Sequence, residues 1–469
     1  MPPAPSKPAP AIDTTSRIGT EPILPLLLSF SIPSIVGMLV NALYNIVDRI
    51  FVGQGIGAAG LAGVTLTFPI MMIMVSFSIL VGVGANTLFS IRMGEGRRDE
   101  AERILGNAFG MLFFVPLAVS LICLAYLNPL LRLVGASDEI LPYACSYARV
   151  ILAGSALSTT SHGLTHFVRS DGRPLIAMVS MLIGGITNII LDALFIFGFG
   201  WGMAGAAWAT VIAQGLSFTW CLAYFLSPRA NTRLRRRHLR PDFHAIVRPM
   251  LAIGSAPFAM HMANSLLNVV LNRGLGRYGS DDAIAVMGIL SAYMSVIFMP
   301  VFGVTQGAQP LLGYNYGARK YDRVRRIFWT AATATSIWLT LGWVFSQLFP
   351  GLIVSMFVSS DSSLLPLGRH ALRVFTLAFP LIGFPITGGH LFQAIGKPVP
   401  AALLALSRQI ILFIPFILIF PIFWGLEGIF FAAPASDLIT CVLAVMVVGH
   451  QLRKLKQPLP VPEPPPADA

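Results

Sequence analysis

The run IFVGQGIGAAGLAGVTLTFPIMMIMVSFSILVGVGANTLFSI, from Ile50 to Ile91, contains no Asp, Glu, Lys or Arg. It is twice as long as the ~20 apolar residues that carry a helix across a hydrocarbon core. One crossing, a short Gly-rich turn and part of a second crossing fit into it. Similar runs extend on either side, at Pro22–Val47, Ile104–Leu131, Ala193–Pro228 and Ala283–Ala318. Across all 469 residues 55% are hydrophobic and 11% charged, with a mean hydropathy of +0.75. An average soluble protein is ~25% charged. Without that charged skin a soluble enzyme, a disordered protein and a secreted disulfide scaffold are all excluded. Cys123, Cys145, Cys221 and Cys441 lie in apolar stretches with no metal-ligand spacing.

Lipid offers the backbone no hydrogen-bond partners, so the spans are helices. The alternating ten-residue strands of a transmembrane barrel are absent. Cutting at Gly, Pro and charge clusters predicts twelve helices, near 24–51, 59–90, 104–127, 140–168, 174–197, 203–226, 247–275, 283–313, 327–349, 366–394, 399–422 and 428–450. The fold class is an all-α membrane protein.

Charge asymmetry orients it. One side collects Lys7, Arg17, Arg92, Arg97, Arg98, Arg103, Arg169, Arg173, the Arg229–Arg248 segment, the Arg319–Arg326 cluster, Lys397, Arg408 and Arg453–Lys456. The opposite loops are short and carry Asp138, Glu139, Asp281, Asp282, Asp361 and Glu427. Both termini are therefore expected in the cytoplasm, in a multi-pass cell-membrane protein (the inner membrane in a Gram-negative cell). The basic segment between helices six and seven reads as a loop against anionic lipid rather than a nucleic-acid site. Residues 1–20 and 453–469 read as disordered tails, and no cleavable signal peptide is visible.

The halves repeat at an offset of 221–224 residues. Asn41-Ala-Leu-Tyr-Asn45-Ile-Val lines up with Asn264-Ser-Leu-Leu-Asn268-Val-Val. Gly53 falls on Gly276, Gly82 and Gly96 on Gly303 and Gly317, Asp171-Gly-Arg-Pro174 on Ile395-Gly-Lys-Pro398, and Gly202-Met-Ala-Gly205 on Gly425-Leu-Glu-Gly428. Six helices per half is an even number, so both halves enter the membrane in the same direction. The expected domains are an N-lobe at 21–228, a basic linker at 229–246 and a C-lobe at 247–452, forming two pseudo-symmetric six-helix bundles around a cleft.

An ionisable group within the membrane is costly and marks a candidate site. Asp48, Asp192 and Asp437 lie inside predicted helices. Asn188 and Asp192 share a helix face by their i, i+4 spacing. Measured from the outer surface, Asp48, Asp192 and Thr210 come to similar depth, so two carboxylates, an amide and a hydroxyl could form one oxygen-rich pocket. Neighbouring carboxylates in low dielectric repel, so the pair could carry a proton; the same hard oxygens could ligate Na⁺. A structural reading competes, in which Asp48 pairs with Arg49 and Asp192 caps a neighbouring helix. The second half lacks these acids: Leu271 stands for Asp48, and Pro415 or Phe416 for Asp192. Asp437, aligned with Gln214, reads either as a substrate contact or as one half of a local pair. His261 reads as a core histidine or, less simply, a substrate ligand.

Pro33, Tyr44, Asp48 with Gly53, Asn188-Ile-Ile-Leu-Asp192 with Phe195 and Gly198, Thr210, the loop at Met93-Gly-Glu-Gly96 and the duplication together resemble the MATE (multidrug and toxic compound extrusion) family of antiporters over roughly residues 17–450. The likeness is to the prokaryotic branch whose acidic pair lies in the N-lobe. The resemblance implies a MATE-like fold and export of cationic or amphipathic compounds in exchange for H⁺ or Na⁺, by alternating access. By position it assigns the cation site to Asp48, Asn188, Asp192 and Thr210. Asn41 and Tyr44 fall on the same wall, and Pro33 at a bend of helix one. Acids that some members carry in helices seven and ten are missing here. No enzymatic motif and no cofactor is evident, and no metal is expected beyond Na⁺ at that site. The chain is expected to act as a monomer among membrane lipids, with no nucleic-acid partner. The alternative is a lipid-linked oligosaccharide flippase or polysaccharide exporter of a related superfamily. Such proteins line their cavity with Arg or Lys, and mid-membrane basic residues look nearly absent here.

Overall fold

The computed structural model describes residues 16–279, 281–358 and 364–456. Twelve long helical spans form an all-helical membrane fold. They are α1 (Ile23–Gly55), α2 (Ala58–Gly94), α3 (Arg98–Ala125), α4 (Leu141–Ser170), α5 (Pro174–Asp192, extended by a π-helical turn Ala193–Gly198) and α6 (Gly202–Leu226). Then follow α7 (Arg248–Tyr278), α8 (Asp281–Gly317), α9 (Tyr321–Leu348) and α10, in which Leu364–Phe375 and Phe379–Ala394 meet at 51°. The last hairpin, α11 (398–424) and α12 (426–454), turns at Gly425, whose φ is 55°. The helices α3 and α9 begin earlier than the charge clusters suggest. Asp99, Glu100 and Asp322 sit in their first turns, where the helix dipole favours acids, so charged residues extend these helices beyond the apolar run.

The backbone repeats more closely than the sequence pairing indicates. Both α2 and α8 are 37 residues long and end at Gly94 and Gly317. Gly94, not Gly96, is therefore the partner of Gly317, and Gly84 that of Gly307. Gly96 (φ 75°) then corresponds to Arg319, a non-glycine residue held at φ 56°. Gly172 and Gly396 share a positive φ, as do Gly202 and Gly425. Short helices at Leu127–Leu133 and Pro350–Ser355 follow α3 and α9 respectively.

The halves meet closely at the end that carries the described termini. A Cβ at Gly84 would overlap the Met250 carbonyl, and one at Gly254 the Leu80 carbonyl. Gly94 meets Tyr314 in the same way, and Gly317 meets Ile91; Gly303 and Gly307 lie against Ile35 and Ser31. Small residues let membrane helices approach backbone to backbone. Leu26, Leu27 and Phe30 at the start of α1 join the core built by Leu311, Phe328 and Leu391, while Val247 and Met250 at the start of α7 join Phe89, Phe167 and Phe225. Each half thus lends the beginning of its first helix to the other's core. Across the same interface Arg169 Nη1 donates to Gln306 Oε1 at 3.0 Å.

Two segments that read as loose are held down. Ser16–Gly19 is a 3-10 turn with Ile18 buried, where the composition predicts a tail to residue 20. Its carbonyls accept hydrogen bonds: Ile18 O from Asn315 and Arg323, Gly19 O from Lys320. The tails at 1–15 and 457–469 lie outside the described residues, whereas Arg453 and Lys454 still belong to α12. The basic linker is pinned to the first half. Asp171, in the turn after α4, accepts from Tyr224 Oη at 2.6 Å, Asn231 N at 2.9 Å and Thr232 Oγ1 at 2.9 Å. Glu102 accepts from Arg233 N and pairs with Arg235 at 2.9 Å, and Asn107 bonds to His238 O and Asp242 N. The arginine side chains of the linker stay exposed. Burial pushes the Asp171 carboxyl from 3.8 up to about 6, against the pull of its three donors.

Two outcomes follow from this packing. A raised carboxyl favours the protonated folded form, so its contribution to stability is full below 3.8 and lost as pH climbs through about 6. Asp171→Asn, whose amide can give to Thr232 and accept from Tyr224 and Asn231, should therefore hold the linker at neutral pH. Asp171→Ala should release it, read as severalfold faster tryptic cleavage between Arg233 and Arg240. At the inter-half crossing, Gly317→Leu should part α2 from α8. A cysteine at Ser90, which is 2% exposed, should then label severalfold faster with a maleimide in a background lacking the native cysteines.

Candidate cation-binding site

Gly184 and Gly185 let α5 lie between two neighbours. A Cβ at Gly185 would press on Val40 of α1, and one at Gly184 on Ser217 of α6. This close packing carries Asp48, Asn188, Asp192 and Thr210 to one place. Counting from the helix ends, each acid and Thr210 lie about 10 Å inside the end opposite the termini. Asp48 is 8% exposed and Asp192 fully buried. Their carboxyl groups are close enough to interact electrostatically.

The oxygens of this group stand without donors. Asp48 Oδ1, both Asp192 carboxyl oxygens and Asn188 Oδ1 are buried and accept no hydrogen bond from the described residues. Asn188 spends its Nδ2 on Thr210 Oγ1 at 3.2 Å, and Thr210 Oγ1 in turn donates to Ala206 O at 3.2 Å. Arg49 is exposed and gives Asp48 Oδ1 no hydrogen bond, so the local-pair reading of Asp48 fails. An unpaired buried carboxylate is among the costliest groups a protein can hold. Four buried oxygens without a donor fit a small hard cation or a proton. Among the described residues no cluster of three or more His, Cys, Asp or Glu could hold a transition metal.

Two tyrosines complete the wall. Tyr44 lies one turn from Asp48 and approaches Gln214. Tyr147, from α4, is buried near Thr210 and lies within the field of both carboxyls. Sequence reasoning misses both Tyr147 and Gln214, because nothing in the spacing of α4 or α6 ties them to the acids. Asn41 lies further along α1 and accepts from Asn45 Nδ2 at 3.2 Å. Pro33 is buried inside α1, which runs through it with no non-helical residue. Directly after Asp192 the π-helical turn brings Phe195, Phe199 and Trp201 into mutual ring contact at 4.7–5.9 Å. Such wide turns are frequent at functional sites.

The corresponding place in the second half is apolar: Leu271 packs with Leu275, Ile417 and Phe430. Asp437 instead pairs with Arg408, Nε to Oδ1 at 2.6 Å. The charge pattern groups Arg408 with the basic loops. It lies instead about three turns inside α11, beyond the charge-bearing end, so the membrane interior of this half does hold a basic residue. The pair borders a cavity of about 430 Å³. Met260 and Asn264 line this cavity, and His261 between them does not.

Known proteins fit this geometry. The MatE family model matches over residues 33–194 and 257–419, one stretch in each half. The Multidrug export protein MepA of Staphylococcus haemolyticus is 25% identical over 431 residues, covering 91% of this chain and 93% of that protein. A solved structure described as MATE in the bent conformation superposes with a TM-score of 0.89 at 23% identity, over 95% of this chain and 99% of the other. The solved structure of the MATE multidrug transporter DinF-BH is 36% identical with a TM-score of 0.85, over 94% of this chain and 98% of that one. With the family matched across both halves, the chain belongs to the MATE family of membrane transporters and is not an enzyme.

Proposed function

We propose that this protein is a secondary active multidrug exporter that exchanges cationic or amphipathic compounds for H⁺ or Na⁺ by alternating access. The observation that carries the reading is the set of buried oxygens without donors at Asp48, Asn188 and Asp192. A proton or Na⁺ would neutralise them, and a cationic cargo competes for the same negative field. Coupling then needs no more than that competition and a different affinity in each conformation. The cation seat is Asp48, Asn188, Asp192 and Thr210, with Tyr147 added to the Asn41 and Tyr44 wall and Pro33 in the moving helix.

The rocking bodies are the N-lobe at 21–228 and the C-lobe at 247–452, joined by the linker at 229–246. Both termini face the cytoplasm of a cell-membrane protein acting as a monomer. In that orientation the glycine crossings close the cytoplasmic end, which supports an outward-facing state. The relatives named for multidrug export support the class of cargo.

Reconstituted dye transport, with Na⁺ and pH gradients imposed separately, tests the proposal and separates the two ions. Asp48→Asn and Asp192→Asn should each abolish gradient-driven transport while the protein stays in the membrane. Full transport by the double variant refutes the seat. Asn188→Ala removes one oxygen and the bond to Thr210. It should weaken the apparent affinity for the coupling ion about tenfold, near 1.4 kcal/mol, and lower the maximal rate far less.

A further inference from the structure

The second-half cavity is a different kind of site from the acidic seat. It is enclosed by α7, α8, α10, α11 and α12, with aromatic walls that include Phe298 and Phe379 and a polar end formed by Arg408, Gln409, Asp437 and Thr440. Both partners of the ion pair border the space at the polar end, and the cation is the more accessible of the two. The Arg408 side chain is 25% exposed and that of Asp437 4%. A guanidinium carries five N–H donors. Arg408 uses Nε on Asp437, and its carbon stands 5.7 Å from the Phe298 ring centre. Its two terminal nitrogens make no hydrogen bond to a described residue.

Other polar atoms there also lack partners. Thr440, one helical turn along α12 from Asp437, is 1% exposed and its hydroxyl makes no hydrogen bond. The Gln409 Oε1 is likewise buried and unbonded. Arg408 and Gln409 sit in a π-helical turn, Ser407–Phe413, which sets them out of the regular helical register. An arginine with two free terminal nitrogens and an unbonded hydroxyl thus line one cavity with aromatic walls, and the counter-ion spends Oδ1 on the arginine.

We propose that this cavity binds an amphipathic aromatic molecule through a carboxylate, with Arg408 as the anion-binding side chain, Thr440 as a second donor and Asp437 as the residue that holds Arg408 in position. A carboxylate accepts two parallel N–H bonds from the free edge of a guanidinium, and the rings take its flat body. The chain thus carries two chemically opposite seats: an acidic one for the coupling cation and a basic one for an acidic cargo. The proposal rests on the transport reading only in regarding the occupant as cargo.

Binding to the purified full-length protein in detergent, with no ion gradient, tests it independently of the transport experiment. The probes are a fluorescent coumarin carboxylate and its ethyl ester, matched in ring and differing in charge. The acid should bind at least tenfold more tightly than the ester. Arg408→Gln should bring the acid to the level of the ester. Because that variant leaves a lone buried carboxylate and could unfold, Arg408→Gln/Asp437→Asn, which keeps the cavity neutral, should do the same. Asp437→Asn alone frees the guanidinium and should tighten the acid severalfold. Equal binding of acid and ester by the unmodified protein, or an acid preference that survives the double variant, overturns the proposal.

Discussion

Two carboxyl groups buried side by side among apolar helices, with most of their oxygens lacking a donor, impose the condition under which the first half is built. A charge in such surroundings costs several kcal/mol unless compensated. Among the described residues no basic side chain forms an ion pair with either carboxyl, which is why the proposed coupling ion fits here. The surrounding architecture keeps that need from being met internally. Gly184 and Gly185 draw α1, α5 and α6 together, Asn188 turns its nitrogen to Thr210, and Arg49 is exposed and gives Asp48 Oδ1 no hydrogen bond. Tyr147 is buried nearby, within the field of both carboxyls.

The second half repeats the backbone of the first and discards its chemistry. Turn glycines, helix lengths and even the short helices after α3 and α9 recur. Leu271 fills the place of Asp48 and joins an ordinary apolar core. The charge removed there reappears as a compensated pair deeper in the bundle, Arg408 with Asp437. A duplicated scaffold can move symmetrically while its two interiors recognise different things, because helix packing depends on small residues and interior recognition on a few polar ones.

The architecture is readable because lipid permits so few backbone solutions. Long charge-free runs interrupted by Gly and Pro leave little choice but helical crossings, and the twelve spans fall where those interruptions are. The acidic group is readable for a similar reason: Asn188 and Asp192 share a face, and matched depth brings Asp48 and Thr210 to them. Other features give no such signal. Tyr147 is one aromatic among many, and its role comes from the rotation of α4. Arg408 looks like a flanking charge because depth cannot be told within several residues in so long an apolar run. The turn at Ser16–Gly19 is composed like a tail and is ordered by carbonyl acceptors, which side-chain patterns do not encode. The repeat aligns two residues off at α2 because Gly94 and Gly96 are equally good candidates until the helix end is seen.

The glycine crossings have a further consequence. They come in twins: Gly84 on α7 mirrors Gly307 on α1, and Gly94 against Tyr314 mirrors Gly317 against Ile91. The first two join different helix pairs, α2 with α7 and α8 with α1, whereas the other two both belong to the α2–α8 crossing. Such a seam can come undone one side at a time, passing through a lopsided form with one helix pair fastened and the other parted. Were the seam to open in that way, its barrier would be divided into two smaller steps rather than met all at once.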